Sequence, residues 1–289
     1  VQSLTALVAH PLIHLGYAYE LNSHTVAIEA LALGACFYSP LHKYIDDPSY
    51  TRPGDFRSTS LLGILCKVRA DKRFDGLYDH RSGDISKVFE RREDAFLEYW
   101  NAWDLEDPKT QFEESQKTAV AVLMGTDPPG PSKFDFFFVH LLTSSHAVRV
   151  ILPLVRPEFQ KSLVRQWWLF TLAVYIAQLR PEVNVGVIEN YELKGRNWKF
   201  VKDKALNSSH SLDAHYVKGK PCRKCRTPRE ADDWTALRAM LVISETWGDS
   251  SEFYLKSAVK FADEFEHWGG FGTAADDDAV SKYEYPRYQ

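Results

Sequence analysis

The stretch Gln166-Trp167-Trp168-Leu169-Phe170-Thr171-Leu172-Ala173-Val174-Tyr175-Ile176-Ala177-Gln178 is the longest apolar run in the chain. It is short of the roughly 18 to 20 residues that a bilayer span requires, and too long for a buried strand. It therefore reads as the buried helix of a helical core, continuous with its flanks over residues 157–179. Neighbouring segments carry the same 3.6-residue period. Leu4, Leu7, Val8 and Leu12 open a pattern over residues 4–21. Ser23 is placed to cap a helix over residues 26–38, and another helix covers residues 60–70. DISKVFERREDAFLEYWNAW (residues 84–103) sets Ile85, Val88, Phe89, Phe96, Leu97 and Trp100 on one side. Further helices are predicted over residues 111–124, 134–152 and 245–268, with Asp127-Pro128-Pro129-Gly130-Pro131 as a turn between two of them. Residues 183–188 are the one short strand candidate, and read equally well as a loop.

The expectation is an all-α protein: a single large helical bundle over residues 1–275, followed by a polar tail at 276–289. The chain begins with Val1 and enters a helical pattern at once, as if an upstream part were missing. With 289 residues, 45% hydrophobic and 13% aromatic, it can bury a large core. A formal charge of -4 offers no basic stripe, which argues against nucleic acid and anionic membrane as partners. Four cysteines do not make a disulfide scaffold. Cys36 and Cys66 sit in apolar contexts typical of buried thiols, and Cys222 and Cys225 form a CxxC without the second ligand pair of a structural zinc site. A reducing, cytoplasmic setting follows.

Chemistry points to the histidines. His10-Pro11-Leu12-Ile13-His14 places two imidazoles at i and i+4, about 6 Å apart on one helix face, in an apolar context. Pro11 fits only a helix start, so His10 falls at the cap and His14 in the first turn. In FDFFFVHLLTSSHAVRVILP (residues 134–153), His140 ends an apolar run, and Thr143 lies one turn on, able to orient the ring or a bound oxygen species. In Asp213-Ala214-His215-Tyr216-Val217-Lys218, His215 and Lys218 share a helix face at i and i+3. Each group alone is matched by a hydrogen-bonded core histidine. Together, His10, His14, His140 and His215 lie in apolar helices, whereas His24, His42, His80 and His267 lie in polar contexts.

Helix bundles build metal sites from such inward side chains. An imidazole-rich set suits iron, copper or zinc, and non-haem iron is the choice for an oxidative role. A buried, deprotonated Lys218 could add carbon dioxide and serve as a carbamate ligand. Asp213 and Glu29 are the carboxylate alternatives, with Glu29 as a partner that fixes an imidazole tautomer. Tyr17, Phe138 and neighbouring aromatics are expected to line a pocket for a flat aromatic substrate, Tyr17 and Thr143 acting as catalytic groups. No P-loop, nucleophile elbow or dinucleotide fingerprint is present.

Residues 219–235 (GKPCRKCRTPREADDWT) break the pattern: they are charged and nearly free of aliphatics. Joining Lys218 to Ala236 restores one amphipathic helix. The segment reads as an inserted surface loop or a translated intron, absent from the working protein.

HPLIHLGYAYE with IEALAL, FDFFFVHLLTSSHAVRVILP, AVYIAQLRPEV, and DAHYVK rejoined to ALRAM resemble, in the same order, successive blocks of the questin oxidase-like family of fungal and bacterial oxidoreductases. The resemblance implies an all-helical enzyme acting on polycyclic aromatic polyketides such as anthraquinones. It implies oxygen insertion in a ring-opening step described as an NADPH-dependent Baeyer–Villiger oxidation. Two departures stand out. An Asn-His-x-x-His motif that precedes the HPLIH block in the family is absent, and the block holding His215 and Lys218 is interrupted. The resemblance thus brings NADPH, with or without flavin, as the alternative to a metal, and a decayed, ligand-binding relative as the non-enzymatic reading.

Overall fold

A computed structural model describes residues 9–37, 39–52, 54–127, 130, 132–211, 213, 215–216 and 235–272. In chain order the helices are α1 (His10–Glu20), α2 (His24–Cys36), α3 (Lys43–Asp46), α4 (Leu61–Ala70), α5 (Ser86–Arg91), α6 (Glu93–Asn101) and α7 (Phe112–Gly125). Strand β1 (Ser132–Asp135) follows, then α8 (Phe136–Ile151), α9 (Pro157–Ala177), α10 (Gly186–Glu189), α11 (Trp198–Asn207), α12 (Thr235–Trp247), α13 (Phe253–Glu264) and strand β2 (Phe265–Gly269). The fold is that of a helical domain. Helix α8 is its axis and packs against α1, α7, α9 and α12.

Ser23 caps α2 as expected, and Ser60, read as the first helical residue, is the cap of α4. The Ser23 hydroxyl accepts from the Val26 amide, and the Ser60 hydroxyl from that of Gly63. The Trp167-Trp168 run is interior throughout α9: the Trp167 indole donates to the Leu141 carbonyl at 3.0 Å, tying α9 to α8. A long apolar helix needs such partners on all sides. Residues 136–154 are in fact long and apolar enough to cross a membrane, contrary to the expectation that no segment reaches that length; 78% of that span is buried among the other helices.

Several expectations are corrected. Residues 84–103 form two helices, because the backbone leaves helical geometry at Arg92 (φ -140°, ψ 29°). Residues 132–135 and 265–269 are not helical. They pair as a two-stranded parallel sheet, with Phe134 stacked on Phe265 and packed on Phe261. The helix-capping Asp135 is what the helical reading passed over; neither short strand shows a period-two pattern of its own. Residues 183–188 hold the start of α10 rather than a strand. Cys36 and Cys66 are exposed, not buried, since Ala30 in α2 and Leu61, Ile64, Leu65 and Val68 in α4 take the inner faces. The proposed insert at 219–234, the cysteines Cys222 and Cys225, Lys218 and the tail lie outside the described residues; Thr235 opens α12.

Asp135 joins β1 to α8 and sets where α8 begins. Its Oδ1 accepts from the amides of Phe137 and Phe138 at 2.8 and 3.0 Å, and Gly270 (φ +96°) passes so close that a Cβ there would meet the carboxylate at 2.7 Å. Burial pushes this carboxyl up to about 7, against the opposing pull of Arg81 and the two amides. Because the folded-state value is raised, the native protein holds a proton that the unfolded chain releases between about pH 4 and 7. Stability from this group therefore falls as pH rises through that window. Asp135→Asn keeps the cap and removes the charge. Relative to wild type it is expected to gain on the order of 3 kcal/mol in urea unfolding on going from pH 4.5 to 7.5. A difference that does not change with pH would contradict this.

Candidate metal centre

α1 starts at His10 and is capped by Ala9, whose backbone is left-handed (φ 63°, ψ 14°), with Pro11 in the first turn. The cap is thus Ala9 rather than His10, and His10 is the first helical residue. α1 lies against α8 at very close range. A Cβ on Gly16 would sit 2.6 Å from both Cα and Cβ of Ala147, so glycine at one helix and alanine at the other allow the backbones to meet. That contact brings His10 to His140, with ring centroids 5.0 Å apart.

His215, from the turn ahead of the undescribed segment, completes the group at 5.0 Å from His140 and 6.4 Å from His10. One nitrogen from each of His10, His140 and His215 can be chosen so that all three lie within 4.8 Å of one another. His14 follows at 5.9 Å from His10, its Nδ1 3.4 Å from the Glu29 carboxylate of α2. Four rings up to two hundred positions apart in sequence are therefore neighbours, and Glu29 stands beside His14.

His140 is 1% exposed. Its Nδ1–H donates to the Phe136 carbonyl at 2.7 Å, one turn back along α8, which leaves the lone pair on Nε2. His215 is held differently. It does not lie on a helix, as the sequence reading had it, but in a turn fixed by Asp213, whose Oδ1 accepts from the amides of His215 and Tyr216 at 2.8 and 3.1 Å. The other oxygen, Oδ2, accepts from the Trp268 indole at 2.8 Å. Asp213 is thereby a brace for His215; its Oδ1 is 4.0 Å from the ring Nδ1.

Aromatics were expected at the site, but the residues that form its wall were not named in advance. Phe136 lies 4.7 Å from His140 and 4.5 Å from His215, Phe271 5.1 Å from Phe136, and Trp268 6.2 Å from His215. Phe138 is fully buried, and lying two residues before His140 it points roughly 200° round the helix, away from the imidazoles. Counting four residues back from His140 would have found Phe136; nothing local singles out Trp268 or Phe271. Thr143 (3% exposed) follows His140 by one turn, and Tyr17 (8% exposed) is 6.3 Å from the ring of His146. Lys218 lies outside the described residues.

A second polar group, also missed, continues the α1–α8 contact. Glu20 bonds His146 Nε2 at 3.1 Å and Arg238 of α12 at 2.8 Å. Burial works against the Glu20 carboxylate, but the hydrogen bond from His146 and the charges of His146 and Arg238 outweigh it and hold the group at about 2. Burial pulls His146 down, with Glu20 opposing. Glu20 thus ties α1, α8 and α12 together while ionised.

The residues present fit a metal of the first transition row. Imidazole is a common ligand of iron, copper and zinc, and nitrogens that bind one ion at ~2.1 Å sit roughly 3 to 4 Å apart, a modest closure from the spacing here. A hydrogen bond from the far nitrogen to a carbonyl, as at His140, is the usual support of a metal-bound imidazole.

No curated protein matches the chain significantly. The Questin oxidase-like family model matches residues 1–220, a span holding the blocks with His10, His14, His140 and His215. With more than half of its length covered by that model, the chain belongs to the questin oxidase-like family, a group of oxidoreductases of secondary metabolism.

Proposed function

We propose that this protein is a metal-dependent oxygenase that opens or oxygenates a ring of a polycyclic aromatic polyketide of the anthraquinone type, with molecular oxygen as co-substrate. The observation that carries the reading is the convergence of buried His140 with half-buried His10 and His215, one ring nitrogen of each lying within 4.8 Å of the others. These three hold the ion, non-haem iron by preference, with His14 and Glu29 beside them. Bound iron would supply the redox chemistry that lets oxygen react with an electron-rich ring.

The remaining work falls to the chain itself. Phe136, Trp268 and Phe271 offer ring faces and edges against which a flat substrate can lie, and such offset or edge contacts hold it in one orientation. The low exposure of His140 and Thr143 keeps bulk water from the reacting ring. The Thr143 hydroxyl can hydrogen-bond an oxygen atom on the substrate or give it a proton; Tyr17, beside His146, is the phenolic donor of α1. The family resemblance brings NADPH as the alternative reductant.

Oxygen uptake with hydroxylated anthraquinones tests the reading. Uptake is expected to stop after stringent chelation and to return on adding ferrous iron. Uptake that continues unchanged in the metal-depleted protein would favour a flavin- or NADPH-dependent monooxygenase instead.

A further inference from the structure

Helix α2 has a face that no other element among the described residues covers. It packs mainly on α1, and of its thirteen residues Ala30 alone is buried. His24, Ile28, Leu31 and Ala35 are all exposed and follow one another at spacings of four, three and four, the seam of a two-helix coiled coil. Ile28 and Leu31, at its centre, are 68% and 63% exposed. Leu21 and Phe37 bracket the seam in sequence, and Tyr19 lies on the adjoining last turn of α1. The only charged residue of α2 is Glu29, which lies off the seam and is turned toward His14.

We propose that α2 pairs with α2 of a second copy of this chain, antiparallel, about a two-fold axis passing between Ile28 and Leu31. Three features commit the surface to its own copy. First, the seam carries no charge, so the matching surface must be as apolar and uncharged as itself, and no charged partner is complementary to it. Second, in the antiparallel register Ile28 meets the partner's Leu31 and His24 meets the partner's Ala35. The two largest residues then fill the centre, and a polar ring packs over a methyl at each end, as an isologous contact requires. Third, the area suffices. Tyr19, Leu21, Ile28, Leu31 and Phe37 expose on the order of 500 Å² of apolar surface, near the upper limit for the largest patch of a monomer. Two copies, with Ala32 and Ala35 included, would bury about 1,200 Å², where specific interfaces begin. The dimer would also hold α2, and with it Glu29, firmly on α1 beside His14.

Light scattering on the full chain across a hundredfold range of concentration is expected to show a dimer of 66 kDa, twice the 33.1 kDa chain. Ile28→Asp with Leu31→Asp is expected to give a monomer with unchanged helical circular dichroism, because both positions are solvent-exposed in a single copy. His24→Cys with Ala35→Cys, on a background in which Cys36, Cys66, Cys222 and Cys225 are replaced by serine, is expected to form a covalent dimer under mild oxidation, whereas neither introduced cysteine does so alone. A monomer at every concentration, a dimer that survives both aspartates, or cross-linking by either single variant would overturn the proposal.

Discussion

His140→Ala is expected to release the metal and to abolish oxygen uptake. The ring it removes is 1% exposed, stands 5.0 Å from both His10 and His215, and has its tautomer set by the Phe136 carbonyl. Removing a partner that merely supports a metal ligand costs 10- to 100-fold in affinity, so removing the ligand itself should cost at least about 100-fold. Truncation also opens a cavity in the core, at about 2 kcal/mol or more. His140→Gln fills most of that volume without restoring an imidazole, and is expected to recover stability but not metal. Competition with a chromogenic chelator measures the first effect, and urea unfolding the second. Wild-type affinity in either variant would remove His140 from the centre.

Gly16→Val is expected to be nearly as damaging, although Gly16 touches no imagined substrate. An added Cβ must displace backbone of α8 at Ala147, which cannot rotate aside, so the two helices have to separate. Alanine would regain about 1 kcal/mol of helix propensity lost to glycine, but valine regains less and adds two more carbons to the collision. Overpacking of this kind costs about 3 kcal/mol. The separation also draws His10 away from His140 and strains the Glu20 link to His146 at the other end of α1. Loss of stability and of metal affinity should therefore appear together, read by urea unfolding and chelator competition on the same preparation. Unchanged metal affinity would mean that the α1–α8 distance does not set the centre.

How far the sequence carried the account depends on the range of each interaction. Ser23 announces its helix because a cap is a bond over three residues, and a period of 3.6 marks α7, α8 and α9 for the same local reason. The histidines were legible as polar exceptions in apolar helices. What was not legible spans the chain. Trp268 braces Asp213 across 55 positions, and Glu20 reaches Arg238 across 218. Neither residue looks unusual in its own neighbourhood. The strand pair failed for a related reason: β1 finds its partner only after more than a hundred residues, and four residues with one apolar side chain beside a strongly helical run carry little signal alone. Phe138 was named with its neighbouring aromatics because Phe136 and Phe138 sit in the same run; only the helical angle separates the ring that faces His140 from the one turned away from it.

The most direct test of the central claim is the metal content of the purified full chain, measured by inductively coupled plasma mass spectrometry beside His10→Ala, His140→Ala and His215→Ala. The account predicts close to one equivalent of a first-row transition metal per wild-type chain, and loss of it in each of the three variants. A wild-type protein that takes up no metal when supplied with ferrous iron, yet consumes oxygen with an anthraquinone, would contradict it.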